Sequence, residues 1–268
     1  MLDRPPLLDD AIAAHGGLDR WQQIDRLTLD VEIGGNILAL KGCLPRLRRL
    51  QVEIDPHHVH AVLTPFPRAG HRGIFDRDRL RIETDDGTPV AARAIVRDAS
   101  GAVPRRLLWS HLDLLYFLGY ALWNYSVTPF VFTWTGFECR EGSPWPASDG
   151  PGSPTRLRRE GGPGSPQRRR REGGPTWRTL HVRFPPDVPT HCRDQVFYFD
   201  ERHVLRRLDY TADVFGSFAR GAHLCDDARQ FDGILIPTRR VVHPRRRNGQ
   251  PFGLLRVMEG HVHGVTIA

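Results

Sequence analysis

Lysine is almost missing from this sequence. Lys41 is the only one among 38 basic residues, and arginine supplies the rest. So strong a skew fits codon bias in a GC-rich bacterial genome better than selection for bidentate phosphate contacts. Cysteine is scarce: Cys43, Cys139, Cys192 and Cys225 are the four. No two form a CxxC pair or a zinc-type spacing, which excludes zinc ribbons and thioredoxin-like redox motifs. Four dispersed cysteines in 268 residues are expected to stay reduced thiols in a cytosol. The opening, MLDRPPLLDDAIAAHGG, lacks a basic start and a long apolar run, so no signal peptide is expected and the cytoplasm is the expected compartment. The most apolar stretch, 112–132, contains Asp113, Asn124, Ser126, Thr128 and Pro129. A membrane span of about 20 apolar residues rarely carries these, so the stretch predicts a buried helix. There is no GxSxG, no GxxxxGK[ST] and no HExxH, and GGNILALKG lacks dinucleotide spacing. The sequence therefore predicts no cofactor, no metal and no catalytic motif.

What is present in excess is one charged repeat. Residues 150–173 read GPGSPTRLRREG GPGSPQRRRREG, one 12-residue unit written twice with ten matching positions. The two units hold seven arginines and two glutamates, so +5 of the formal +7 sits here and the remaining chain carries only +2. The body of the protein is near neutral, and the basic pI describes an insert. Residues 142–176, rich in Gly, Pro, Ser and Arg, hold too little apolar surface to offset the entropy of ordering, so the insert is expected to be disordered. Aromatic interleaving is absent, which disfavours nucleic acid as a partner. Slippage duplication in a tolerant loop is the expected origin.

Outside the insert, two periods alternate. Leu8, Ile12, Leu18 and Trp21 recur at helical spacing, broken at Gly16-Gly17. Leu27, Leu29, Val31 and Ile33 then alternate with polar residues, the mark of a half-buried strand. Further strands are predicted at ILALKG, around Leu50–Ile54, at HVHAVLT, GIF, RLRIET, around Leu180–Phe184, at QVFYF, over Leu208–Val214, at ILIPTRRVVH and at LLRVMEGHVHGV. About ten strands at short spacing imply an antiparallel meander rather than βαβ units. LLWSHLDLLYFLGYALWNY interrupts them as a helix apolar on most sides, which must be covered on most sides. The fold class expected is α+β: one large curved antiparallel sheet, an incomplete barrel over 1–268, covered by the N-terminal helix and the internal aromatic helix.

The histidines offer little chemistry. On a strand, His58 and His60 would share a face, as would His261 and His263, but zinc needs three or four ligands and the pairs lie far apart in sequence. His15 beside Gly16 is read as a packed helix end. His111 and Asp113 face different directions on a helix. His191 and Cys192 are neighbours, and neighbours on a strand point to opposite faces.

Three blocks resemble the lipoprotein-carrier-like (LolA/LolB-type) half-barrel superfamily: AHGGLDRWQQIDRLTLDVEIGG, QVFYFDERHVLRRLDYTADV and FDGILIPTRRVV. They occur in order and cover about a fifth of the chain. The resemblance implies an incomplete barrel around helices with an apolar cavity for acyl chains, and no catalytic residues. It joins the aromatic helix to give the expected function, non-catalytic binding of an apolar or lipid-like small molecule. Trp109, Tyr116, Phe117, Tyr120 and Trp123 are the expected ligand-binding residues, with Tyr and Trp tips able to orient a ligand. Two alternatives stand beside it: an enzyme built from distant strands, with His191, Asp209, Tyr210 and Arg239 as candidates, and an anionic-surface binder acting through the insert.

Overall fold

A computed structural model describes residues 4–43, 48–96, 107–147 and 176–268. The chain opens with two short helices, α1 (Pro6–Ala14) and α2 (Leu18–Gln22), with the break at Gly16-Gly17. Six strands follow: β1 (Leu27–Gly34), β2 (Arg48–Asp55), β3 (His60–Thr64), β4 (His71–Asp76), β5 (Arg79–Thr84) and β6 (Pro89–Ala94). The aromatic segment is α3 (His111–Val127). Seven more strands complete the chain: β7 (Glu138–Pro146), β8 (Thr176–Arg183), β9 (Asp194–Phe199), β10 (Leu205–Thr211), β11 (Arg220–Phe231), β12 (Ile234–Pro244) and β13 (Met258–Ile267).

All thirteen strands form one antiparallel sheet in the order β6-β5-β4-β3-β2-β1-β13-β12-β11-β10-β9-β8-β7. Two six-stranded meanders are thus joined by β13, which pairs β1 on one side and β12 on the other. The edges β6 and β7 do not pair, so the sheet is curved but open. α3 lies between these edges in sequence and packs against β2–β6 on the inner face.

α3 begins where Ser110 and Asp113 form a capping box. Asp113 also pairs with Arg93 on β6 at 2.8 Å, tying the helix to the sheet edge. Every residue from Asp113 to Asn124 is buried, as the all-round apolar pattern requires. Gly119 lets the helix descend onto β4, because a Cβ there would lie 2.5 Å from the Phe75 ring. At the other end of the barrel Trp21 stacks on Phe130 with 4.1 Å between ring centroids.

Four readings from the alternation need correction. ILALKG is not a strand but a 3₁₀ helix, Asn36–Lys41. Gly35 passes so close to the Val257 carbonyl that a Cβ would sit 2.2 Å from it, and the Ile37 amide donates to the same oxygen. The chain leaves the sheet at that crossing. His58 lies in the β2–β3 turn, where it bonds Asp55, whereas His60 bonds Asp76, so the two imidazoles do not share a strand face. Residues 142–146, grouped with the insert by composition, are the outer half of β7, with Trp145 opposite Trp177 and Pro146 opposite Thr176. An edge strand tolerates such prolines because one side of it needs no ladder partner. The tandem repeat, 150–173, lies outside the described residues.

The fourth correction concerns β10, which ends at Thr211 rather than Val214. Its polar alternates Arg207 and Asp209 are both buried, at 0% and 3% exposure. They pair bidentately at 2.7 and 2.8 Å on the outer face of the sheet. Tyr198 donates to Asp209, the Trp145 ring faces the guanidinium, and Arg207 donates to the Gly249 carbonyl. A loop therefore roofs a face that alternation alone assigns to solvent.

Candidate functional site

The inner face of β1 and β10–β13 lies opposite the Phe117–Tyr125 side of α3, and the space between them is not completely filled. A cavity of about 60 Å³ is bounded by Leu29 and Val31 of β1, Leu122 and Tyr125 of α3, and Ile236 and Val242 of β12. That is room for a few water-sized groups. A second cavity of about 300 Å³ adjoins it under the 3₁₀ helix, walled by Ile37, Leu40, Phe215, Phe218, Leu255 and Val257. Phe117, Tyr210, Val242 and Met258 belong to both walls. Apolar side chains are prominent at its rim: Leu40 is 62% exposed and Phe218 73%.

Parity decides what faces inward. On β12, Ile236, Arg240 and Val242 share the inner face, so Arg240 points in while Arg239 points out to Asp226. Arg240 is 9% exposed and makes no ion pair among the described residues. Its guanidinium donates to Cys225 Sγ and to the Tyr125 carbonyl, both at 3.1 Å, and lies over the Tyr125 ring. Two acceptors leave most of its five donors unused.

Next to it runs a buried chain of polar groups. His191 Nδ1 lies 3.0 Å from the Tyr120 hydroxyl and its Nε2 lies 2.6 Å from the Tyr125 hydroxyl. The Tyr125 hydroxyl bonds that of Tyr210, and Tyr210 lies 3.5 Å from His223 Nδ1. The His191 and Tyr210 rings stack at 3.9 Å. Burial holds His191 down at about 3 and His223 well below the usual histidine range. Burial likewise pushes the three tyrosines up, and Cys225 to about 11. At neutral pH all of these groups are uncharged. Glu32, Glu259 and His261 also border the smaller cavity, but they alternate with Val31, Met258 and Val262 along β1 and β13 and so turn to the outer face, which leaves Arg240 as the charged side chain on the cavity's inner face. His223, 1% exposed, also borders this cavity, and its buried Nε2 has no hydrogen-bond partner among the described residues.

The five aromatic residues expected to bind ligand separate. Phe117 lines both cavities. Trp109 stands before the helix, packs on Phe117 and Phe215, and lines a third cavity of about 170 Å³ with Leu38 and Phe66. Tyr116 packs on Phe75 and Tyr120, and Tyr120 is committed to His191. Trp123 is fully buried and donates Nε1–H to the Asp55 and His58 carbonyls. The four residues named for an enzyme do not converge. His191 and Tyr210 stack inside, Asp209 is paired with Arg207 on the other face, and Arg239 is outside. Arg240, His223 and Tyr125 were the residues not singled out. Arg240 was legible from parity, since Ile236 and Val242 must face the core. His223 was not, because β11 shows no clean alternation.

A larger cavity of about 600 Å³ lies beside β7–β9, but Arg4, Glu138, Arg140, Arg183 and Asp194 line it along with apolar groups. Its mixed charge suits water better than an apolar ligand. Among the described residues no group of three or more His, Cys, Asp or Glu side chains could hold a metal ion, and no helix is long and apolar enough to cross a membrane.

No protein-family model and no curated protein matches the sequence. Solved structures do match. A LolA superfamily protein from Nitrosomonas europaea superposes with a TM-score of 0.50 at 11% identity, covering 98% of this chain and 92% of that one. A DUF1329 family protein from Desulfovibrio piger gives 0.49 at 10% identity, covering 97% and 91%. The chain has a LolA-like fold, an open antiparallel half-barrel around helices.

Proposed function

We propose that this protein binds an apolar or lipid-like small molecule, without catalysis, between the curved sheet and α3. One observation carries the reading: two adjoining cavities with mainly apolar walls share Phe117, Tyr210, Val242 and Met258, and the larger opens past exposed Leu40 and Phe218. Concave, mostly apolar sites with a few fixed polar groups are the usual form of small-molecule pockets. In this reading Phe117 contacts the ligand, Trp109 supports the wall through Phe117 and Phe215, and Tyr116, Tyr120 and Trp123 hold the helix in place. Four cysteines dispersed along the chain favour a reducing cytoplasm as the compartment.

Native mass spectrometry after gentle purification, with uptake of a hydrophobic dye, tests the reading. The expected result is a retained lipid-sized adduct, or dye uptake that falls at least severalfold in Phe117→Ala. A protein that neither retains an adduct nor takes up dye would overturn it.

A further inference from the structure

The smaller cavity is mostly apolar, but its inner face carries one charged side chain, the wrong polarity for a hydrocarbon. A guanidinium buried without a carboxylate costs several kcal/mol unless something compensates it. Arg240 has only a thiol, a carbonyl and a ring face. His223 borders the same cavity, and its Nε2 is buried and without a partner among the described residues. Two residues with unused hydrogen-bonding capacity border one mainly apolar cavity and define what would complete them.

We infer that the bound molecule carries a carboxylate, seated between Arg240 and His223 in the smaller cavity, with its chain running past Phe117 and Met258 into the larger one. The ligand class is a long-chain fatty acid. This assignment rests on the binding function proposed above and specifies its ligand. A space of about 60 Å³ takes a carboxylate but not a phosphodiester headgroup with its substituents. The arginine supplies the charge and a fork of donors that matches two carboxylate oxygens.

The buried chain supplies the second donor without a net charge. His223, Tyr210, Tyr125, His191 and Tyr120 are neutral, and each has one proton to give along the chain. If Tyr120 donates to His191 Nδ1, then Nε2–H of His191 donates to Tyr125, Tyr125 to Tyr210, and Tyr210 to His223 Nδ1. That order leaves the His223 proton on Nε2, the nitrogen without a partner among the described residues. An anion at this wall selects that order, whereas a ligand hydroxyl donating to Nε2 selects the reverse.

The test compares three ligands of one chain length, hexadecanoic acid, hexadecanol and methyl hexadecanoate, by dye displacement on the intact protein and on Arg240→Met. A phosphatidylglycerol vesicle serves as the phosphate-bearing control. The wild type is expected to prefer the acid by about ten- to a hundredfold, the worth of one or two hydrogen bonds to a charged group. R240M should lose the preference for the acid. Equal wild-type affinity for acid and alcohol, or a preference for the phospholipid, would overturn the carboxylate seat and leave the binding function standing. Failure of all ligands to displace dye would overturn both. The wild-type comparison needs no variant, so a misfolded R240M does not leave the question open.

Discussion

Gly119 is the position at which the depth of α3 can be measured. In an ordinary helix interior, Gly→Ala stabilises by about 0.5–1 kcal/mol, because alanine loses less backbone entropy. Here the new methyl would lie 2.5 Å from Phe75 Cγ and 2.6 Å from its Cβ. Those are not the far end of a flexible chain but the root of a buried ring on β4. Phe75 is 0% exposed and also packs on Tyr116, so it has nowhere to retreat without moving the strand or the helix. Overpacking of this kind costs about 1–3 kcal/mol. The clash outweighs the entropy gain, and Gly119→Ala should lose about 1–2 kcal/mol. For a chain of this size that lowers Tm by about 2–8 °C. Thermal unfolding followed by circular dichroism reads the change. A Tm that rises in G119A would refute the close approach of α3 and β4, and with it the position of the cavity's helical wall.

Three further outcomes follow from the polar groups and the insert. His15, His191 and His223 are held neutral by burial, with folded pKa values below their unfolded ones. Stability is therefore full above about pH 6.5 and falls as pH drops, by up to about 1.4 kcal/mol per pH unit for each histidine; urea titrations at pH 7 and pH 5 check this, and equal midpoints would contradict it. Burial alone would raise the Asp113 carboxyl, but bonds from Ser110 and Arg93 outweigh it and hold it below its usual value. Its contribution is present above about pH 4 and lost below it, and Asp113→Ala at pH 7 should cost about 1–2 kcal/mol in a denaturant titration through the lost cap. Deleting residues 150–173 should leave Tm and dye uptake unchanged while removing most of the net charge; lost dye uptake would move the site into the insert.

Much of the fold was legible because its first strands are covered on one face only. β1 and β3 alternate in burial as their sequences do. The three carrier-like blocks were legible for a more specific reason: they meet. His15 Nε2 accepts from the Leu205 amide, the His15 carbonyl accepts from Leu235, and Arg20 pairs with Asp232 at 2.6 Å. Gly16, at φ +126°, lies against the Gly233 carbonyl. The motif is thus one joint of the barrel written in three places.

The unread parts share a cause in coverage from outside the segment. β11 buries five residues in a row, Gly221 to Cys225, and then passes through Asp227 at φ +50°, so no period survives. Arg207 and Asp209 look solvent-facing until Trp145 and the Gly249 turn roof them. Arg240 looks like one more surface arginine beside Arg239. In each case the deciding neighbour is remote in sequence, and local alternation carries no trace of it.

The placement of β13 bears on how the molecule is assembled. Leu27 faces Ile267, so the β1–β13 seam joins segments from nearly opposite ends of the described chain, whereas β12 and β13 are sequence neighbours. Each meander consists of neighbouring strands that can zip up locally, whereas this seam must first close the longest loops. The centre is then the last part of the sheet to form, and the two halves are separable. A chain ending before Met258 would present β1 and β12 as facing ladders with a strand-wide slot between them. A synthetic peptide of residues 258–268 has both of those ladders to pair with, so the protein can be split there and rejoined without a covalent bond.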